Sequence, residues 1–213
     1  MRYIDMETWP RREHFLFFSS FNHPHWGLCA NVDLTVFHPF VKQCGLSFTV
    51  AWVYVLARTA NAIPEFRQRI RGPQVVEHDI VHPSFTFLVD EDVFSFCTVE
   101  YAADFPVFAT RAAERIAGVR QDLTLDDEGQ DNLLFMSAIP WVSFTSFRHP
   151  MQLHPGDSVP RFAWGKFFED GGRLKIPLDV QGHHALMDGL HVGRFCQLVQ
   201  EQLDDPEPVL GAA

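Results

Sequence analysis

Residues 47–63, SFTVAWVYVLARTANAI, are apolar on nearly every side over a length that suits a buried helix, although their β-branched content keeps a strand in competition. Just before them, ANVDLTVF, residues 30–37, alternates apolar and polar positions and predicts a strand. Residues 7–18, ETWPRREHFLFF, predict a helix with Thr8 as N-cap and Pro10 in its first turn, running into an aromatic stretch. Beyond Pro64, residues 75–89 and 93–101 carry strand-like runs separated by the acidic turn Asp90, Glu91 and Asp92, the pattern of a hairpin. Residues 104–121 space Ala, Arg and Glu as a surface helix does, and the acidic stretch 124–131 ends it. Further strands are predicted within 133–147 and 160–181, the second interrupted by EDGG, whose glycines suit a tight turn. Strands and helices intermix without a regular βαβ count, so the expected fold class is α/β: one domain over residues 1–213, a mixed sheet with helices packed on it. The polar, proline-bearing end, residues 204–213, is expected to fray.

Composition narrows the possible functions. With 17 Lys and Arg against 27 Asp and Glu, the chain has a formal charge of -10 and no basic face for a phosphate backbone, which argues against nucleic acid. An anionic cofactor would need a local basic spot. Twenty-one Phe and five Trp suit either a dense aromatic core or an apolar ligand pocket. Cys29, Cys44, Cys97 and Cys196 are widely separated and form no CxxC pair, the pattern of free thiols in a reducing compartment. The opening residues show no signal-peptide run and no apolar stretch reaches membrane-spanning length, so the expectation is a cytoplasmic protein off the membrane.

The densest chemical signal is residues 175–195, KIPLDVQGHHALMDGLHVGRF, where a strand runs through a turn into a helix. Alternation puts Ile176, Leu178, Val180, Gly182 and His184 on one face, so His184 emerges from an apolar face at a strand end. Val192, Phe195, Val199 and Leu203 follow at helical spacing, which sets Asp188 at that helix's N-terminus, where a carboxylate is favoured. An imidazole, titrating near ~6.5 when unperturbed, is largely neutral at physiological pH and can take a proton from an alcohol. A core or surface histidine with no chemistry is the commoner use of this residue type, so the surrounding residues decide.

HHALMDG matches the HHxxxDG signature shared by chloramphenicol acetyltransferases and the catalytic domains of 2-oxoacid dehydrogenase acyltransferases. WPRREHFLFF, SAIPWVSFTSF and IPLDVQGHHALMDGLHVGRF together resemble the chloramphenicol acetyltransferase family in order and spacing over nearly the whole chain. The resemblance implies that family's fold, a homotrimer with active sites at subunit interfaces, and acetyl transfer from acetyl-CoA to the primary 3-hydroxyl of chloramphenicol or a similar small acceptor, giving antibiotic resistance. It implies His184 as general base, Ser137 as hydrogen-bond donor to the oxyanion, and an ion pair between Asp188 and Arg11. It further implies Phe17, Phe18, Trp26, Thr86, Phe94 and Phe96 as walls of the acceptor pocket, with Lys166 and Phe167 meeting the nucleotide of CoA.

Some positions depart from the family's pattern. Ala163 stands where a Thr is common, Ser47 where a basic CoA contact is common, Phe18 for a frequent Tyr, and the bulky Phe96 for a small residue; His23, Pro24 and His25 alter the loop before Trp26. These departures bear on acceptor choice and CoA affinity more than on reaction type. No metal is expected: there is no HExxH, and adjacent His183 and His184 point to opposite faces of a strand. His183 is expected to make a structural hydrogen bond and His191 to be an ordinary helix residue. Two alternatives stay open, the same transfer onto a different hydroxyl acceptor and a non-catalytic relative that binds hydrophobic ligands.

Overall fold

A computed structural model describes residues 1–119, 129–152 and 156–211. Its elements, in chain order, are β1 (Arg2–Tyr3), α1 (Arg12–Ser19), β2 (His25–Asp33), α2 (Phe37–Gln43), α3 (Phe48–Ala62), a 3-10 turn (Pro64–Arg67), β3 (Gln68–Arg71), β4 (Gln74–Glu77), β5 (His82–Asp90), β6 (Val93–Thr98), α4 (Phe105–Val119), β7 (Leu133–Ile139), β8 (Arg161–Gly165), β9 (Phe168–Asp170), β10 (Arg173–His183), α5 (Gly189–Asp204) and α6 (Glu207–Leu210).

The large sheet is mixed, as expected from the element pattern. Its strands run in the order β2-β10-β8-β7-β5-β6, with β9 also paired to β10, and β1-β4-β3 form a small second sheet. Strand β7 lies parallel to both β5 and β8, while the other pairings are antiparallel. The turn between β9 and β10 is the predicted one. Gly171 and Gly172 hold φ of 60° and 75°, the positive pair that a two-residue hairpin loop requires.

One face of the large sheet is apolar and carries the helices. Ile176, Leu178 and Val180 of β10, Phe162 of β8, Met136 of β7 and Phe85 of β5 are buried there beneath α3 and α5. Residues 47–63 resolve as helix, with Ser47 accepting from the Val50 N–H as N-cap and Val50–Ala57 wholly buried. A run apolar all round suits a helix covered on every side, which outweighs its β-branched content. The opposite face is polar: register aligns Ser137 with Ala163, Asp179 and Cys29 in one row, and Phe135 with Arg161, Gln181 and Gly27 in the next. Residues 144–149 lie over this face, held by Asp179, which accepts from Phe147 N–H, and by Gln181, which accepts from His149 N–H and donates to Phe147 O.

Three boundaries differ from expectation. Thr8 donates to the Asp5 carboxylate inside a turn rather than capping a helix, and α1 begins after Arg11. Strand β2 starts earlier and ends sooner than the predicted 30–37, at Asp33, and a turn leads from there to α2 at Phe37. The end expected to fray, described as far as Gly211, does not simply trail off: α6 forms behind Pro206 and buries Leu210. The predicted acidic stretch 124–131 falls largely outside the described residues.

Candidate active site

His184 sits one residue past the end of β10, its N–H bonded to Pro24 O at 2.8 Å, so the β2–β10 ladder effectively extends to it. Its ring stacks flat on Phe18, with centroids 3.9 Å apart and planes 8° from parallel, and lies 5.4 Å from the Trp26 ring. Among the described residues His184 Nδ1 is buried without a hydrogen-bond partner, and the residue as a whole is half-buried. An imidazole flanked by aromatic rings and only half-buried can exchange a proton with a docked hydroxyl.

The turn after His184 is fixed from below. Asp188 caps α5 by accepting from Leu190 N–H at 3.0 Å, and its other oxygen accepts from Arg11 Nη1 at 2.7 Å. Burial pushes the Asp188 carboxyl up, but the Arg11 hydrogen bond, the neighbouring His191 and the Leu190 amide outweigh it and hold the group below its ordinary value. Arg11 stands at the start of α1 and its carbonyl accepts from Phe15 N–H, so the ion pair joins the helix bearing Phe17 and Phe18 to the turn bearing His184.

His191 is more than an ordinary helix residue. Its Nδ1 accepts from Asp188 N–H at 3.0 Å and its Nε2 lies 3.3 Å from Glu65, closing a chain Arg11–Asp188–His191–Glu65. A histidine three residues after an N-cap Asp is the sequence trace of this capping box. His183 turns to the other face, as expected: its Nδ1 accepts from Ala185 N–H, its ring meets His25 edge-on at 5.0 Å, and burial drops its pKa to about 4. Among the described residues no cluster of three or more His, Cys, Asp or Glu is arranged to hold a metal ion.

The structure gathers Arg11, Phe17, Phe18, Trp26, His184 and Asp188 at one end of the sheet on its helix side. It does not bring Ser137 there. Ser137 shares a row with Ala163 and Asp179, odd-numbered on β10, whereas Gly182 and His184 continue the opposite face. Thr86, Phe96 and Phe94 lie on the Ser137 side too, because Ser84 of β5 pairs with Phe135, and Thr86 and Leu88 pair with Phe96 and Phe94. Each chain thus presents the residues expected of one site in two sets on opposite faces of the sheet. Phe17 and Phe94 remain 60% and 45% exposed, more than apolar side chains of a finished pocket would be. A cavity of about 360 Å³ opens on the Ser137 side, lined among others by Cys29, His149, Asp179 and Gln181.

Lys166 and Phe167 follow β8 at the surface. Phe167 meets the rings of His38 and Phe48 at 5.2 and 6.5 Å, at the N-terminal end of α3, beside Ser47. Ser47, in place of a basic residue, serves the helix as its cap.

A family model described as Chloramphenicol acetyltransferase matches residues 1–200. Chloramphenicol acetyltransferase of Klebsiella sp is 35% identical over 95% of this chain and 93% of its own length, and chloramphenicol acetyltransferase 3 of Escherichia coli is 31% identical over 93% and 94%. Among solved structures, a chloramphenicol acetyltransferase superposes with a TM-score of 0.89 at 30% identity, covering 95% of this chain and 99% of that one. The dihydrolipoamide acetyltransferase of Azotobacter vinelandii shares the fold alone, with a TM-score of 0.70 at 19% identity over 93% of this chain and 88% of its own.

Proposed function

From the premise that the chain belongs to the chloramphenicol acetyltransferase family, we propose that it transfers acetyl from acetyl-CoA to the primary 3-hydroxyl of chloramphenicol, with His184 as general base. The imidazole takes the hydroxyl proton as the oxygen attacks the thioester carbonyl. The tetrahedral oxyanion accepts a hydrogen bond from Ser137, worth ~2.7–4 kcal/mol for one such donor. As the C–S bond breaks, the leaving CoA thiolate regains the proton from the imidazolium, so no acyl group is left on the protein and the base returns neutral. Arg11 and Asp188 position the turn. Phe17, Phe18, Trp26, Thr86, Phe94 and Phe96 wall the acceptor, while Lys166 offers a cation to a CoA phosphate and Phe167 a ring to adenine.

The observation that carries this reading is the division of these groups between two faces of one sheet. A second copy presenting its Ser137 face to the His184 end completes the site, and closure of that contact into a ring gives a homotrimer. Light scattering is expected to return about three times 24.4 kDa.

The chemistry is tested by release of free CoA thiol from acetyl-CoA, with and without chloramphenicol, in wild type and His184→Ala. Turnover that needs the drug and is lost in the variant supports the reading. Drug-independent thiol release, or full activity in His184→Ala, sinks it. A second reading, the same transfer onto a different hydroxyl acceptor, is favoured by the polar lining of the cavity on that face of the sheet, where both ring nitrogens of His149 are without a partner among the described residues, hydrogen-bonding groups that a nitrophenyl ring does not need. Turnover with another alcohol and none with chloramphenicol selects it.

A further inference from the structure

We propose that Gly182 and Met187 form a contact that positions His184, a role that rests on His184 being the base. Gly182 is buried in the last turn of the β10 ladder, directly across from Trp26. Its backbone is ordinary extended strand, so no unusual dihedral explains the glycine. Space does. A Cβ built on Gly182 would stand 2.8 Å from Met187 Cγ and closer still to its Sδ, distances that no methyl group tolerates. Met187 is itself fully buried, so its thioether arm has little room to retreat. The arm lies across the hole that the missing side chain leaves.

This arrangement draws the whole HHALMDG turn down onto the strand. Amides of Leu186 and Met187 both return to His183 O, at 2.9 and 3.1 Å, and Met187 O accepts from Trp26 Nε1 at 3.1 Å. With its N–H tied to the turn, the indole cannot swing, and its ring flanks His184. Met187 also precedes Asp188, whose pairing with Arg11 fixes the helix bearing Phe18. One side chain seated on one glycine therefore sets the distance between strand and turn on which both neighbours of the imidazole depend. Trp26, assigned to the acceptor wall from the sequence, gains a second task as a positioning residue.

The contact is a matched pair of large and empty, so the test is a cycle of Gly182→Ala, Met187→Ala and the double variant. Gly182→Ala is expected to lose ~10- to ~100-fold in kcat with KM for acetyl-CoA unchanged, since misplacing a reacting group by about an ångström has that effect. The double variant, in which the added methyl occupies space the thioether has left, is expected to exceed both single variants in kcat. Should Gly182→Ala fail to fold, the double variant against Met187→Ala alone still decides. The NMR signals of the His184 ring, displaced in Gly182→Ala and returned in the double variant, report the same thing without any acceptor. A folded Gly182→Ala with wild-type kcat and ring signals, or a double variant no better than either parent, overturns the proposal. His184→Ala is run alongside: activity surviving there removes the base itself, whereas an inactive His184→Ala beside an unaffected Gly182→Ala removes only the positioning role.

Discussion

Asp188 meets Arg11, Leu190 and His191 at once, and its charge matters to only some of these. Asp188→Asn keeps an oxygen for the helix cap but loses the ion pair, so it is expected to fold while kcat drops by about tenfold or more, as a displaced turn carries the proposed base away. Titration divides in two. His183 and His149 are driven by burial to about 4, below the ordinary imidazole value, so their neutral forms support the fold above ~6.5 and that support is lost as pH falls from ~6.5 toward 4. Asp188, also depressed, contributes stability above ~4 and loses it only at lower pH. Melting temperature is therefore expected to fall by on the order of 10 °C between pH 7 and pH 5, and His149→Gln to flatten the slope; an unchanged melting temperature over that window would refute this. At this scale the sequence was informative wherever a residue acts through close neighbours along the chain. The HHxxxDG spacing pointed to His184 and anticipated Asp188 at the start of α5. What stayed hidden was Gly182 against Met187 and His191 against Glu65, because those contacts exist only once a turn has folded back on its strand or a helix has met another element.

Among the elements, α3 was legible because a run apolar all round has few other solutions, and the β9–β10 hairpin because two adjacent glycines permit a turn that other residues resist. The start of α1 was not. Thr8 is a good N-cap by type, but Asp5 competes for it, accepting from both the Glu7 amide and the Thr8 hydroxyl, and so delays the helix to Arg12. The end of the chain was misjudged for a related reason: its polarity conceals Leu210, whose burial pulls α6 into place. Arg69 is a further element-level device. Fully buried, it donates to the carbonyls of Asp131, Phe66, Gln68 and Leu133, tying β3 and the 3-10 turn to the start of β7. Burial pulls its pKa down to about 9, still charged at neutral pH. Arg69→Met is expected to destabilise the protein by at least ~3 kcal/mol in urea unfolding, since it strands several buried carbonyls at ~1–3 kcal/mol each. Ser47→Ala, which removes only the α3 cap, is expected to lose ~1 kcal/mol and leave kcat unchanged.

Across the whole molecule, strand alternation governs what a single copy can do. The resemblance gave one catalytic set, and the strand register distributes it to the two sides of the sheet, a division that needs the pairing partners of β7 and β8 and so could not be seen in the order of residues. Ser137→Ala is expected to reduce kcat by ~10²- to ~10³-fold while binding of acetyl-CoA persists, measured by isothermal titration calorimetry. This has a genetic consequence. A cell producing only His184→Ala chains and a cell producing only Ser137→Ala chains should both be sensitive to the drug. A cell producing both should regain resistance, since any ring that mixes the two has a junction where an intact imidazole from one allele meets an intact hydroxyl from the other. Two broken genes would then supply one working enzyme.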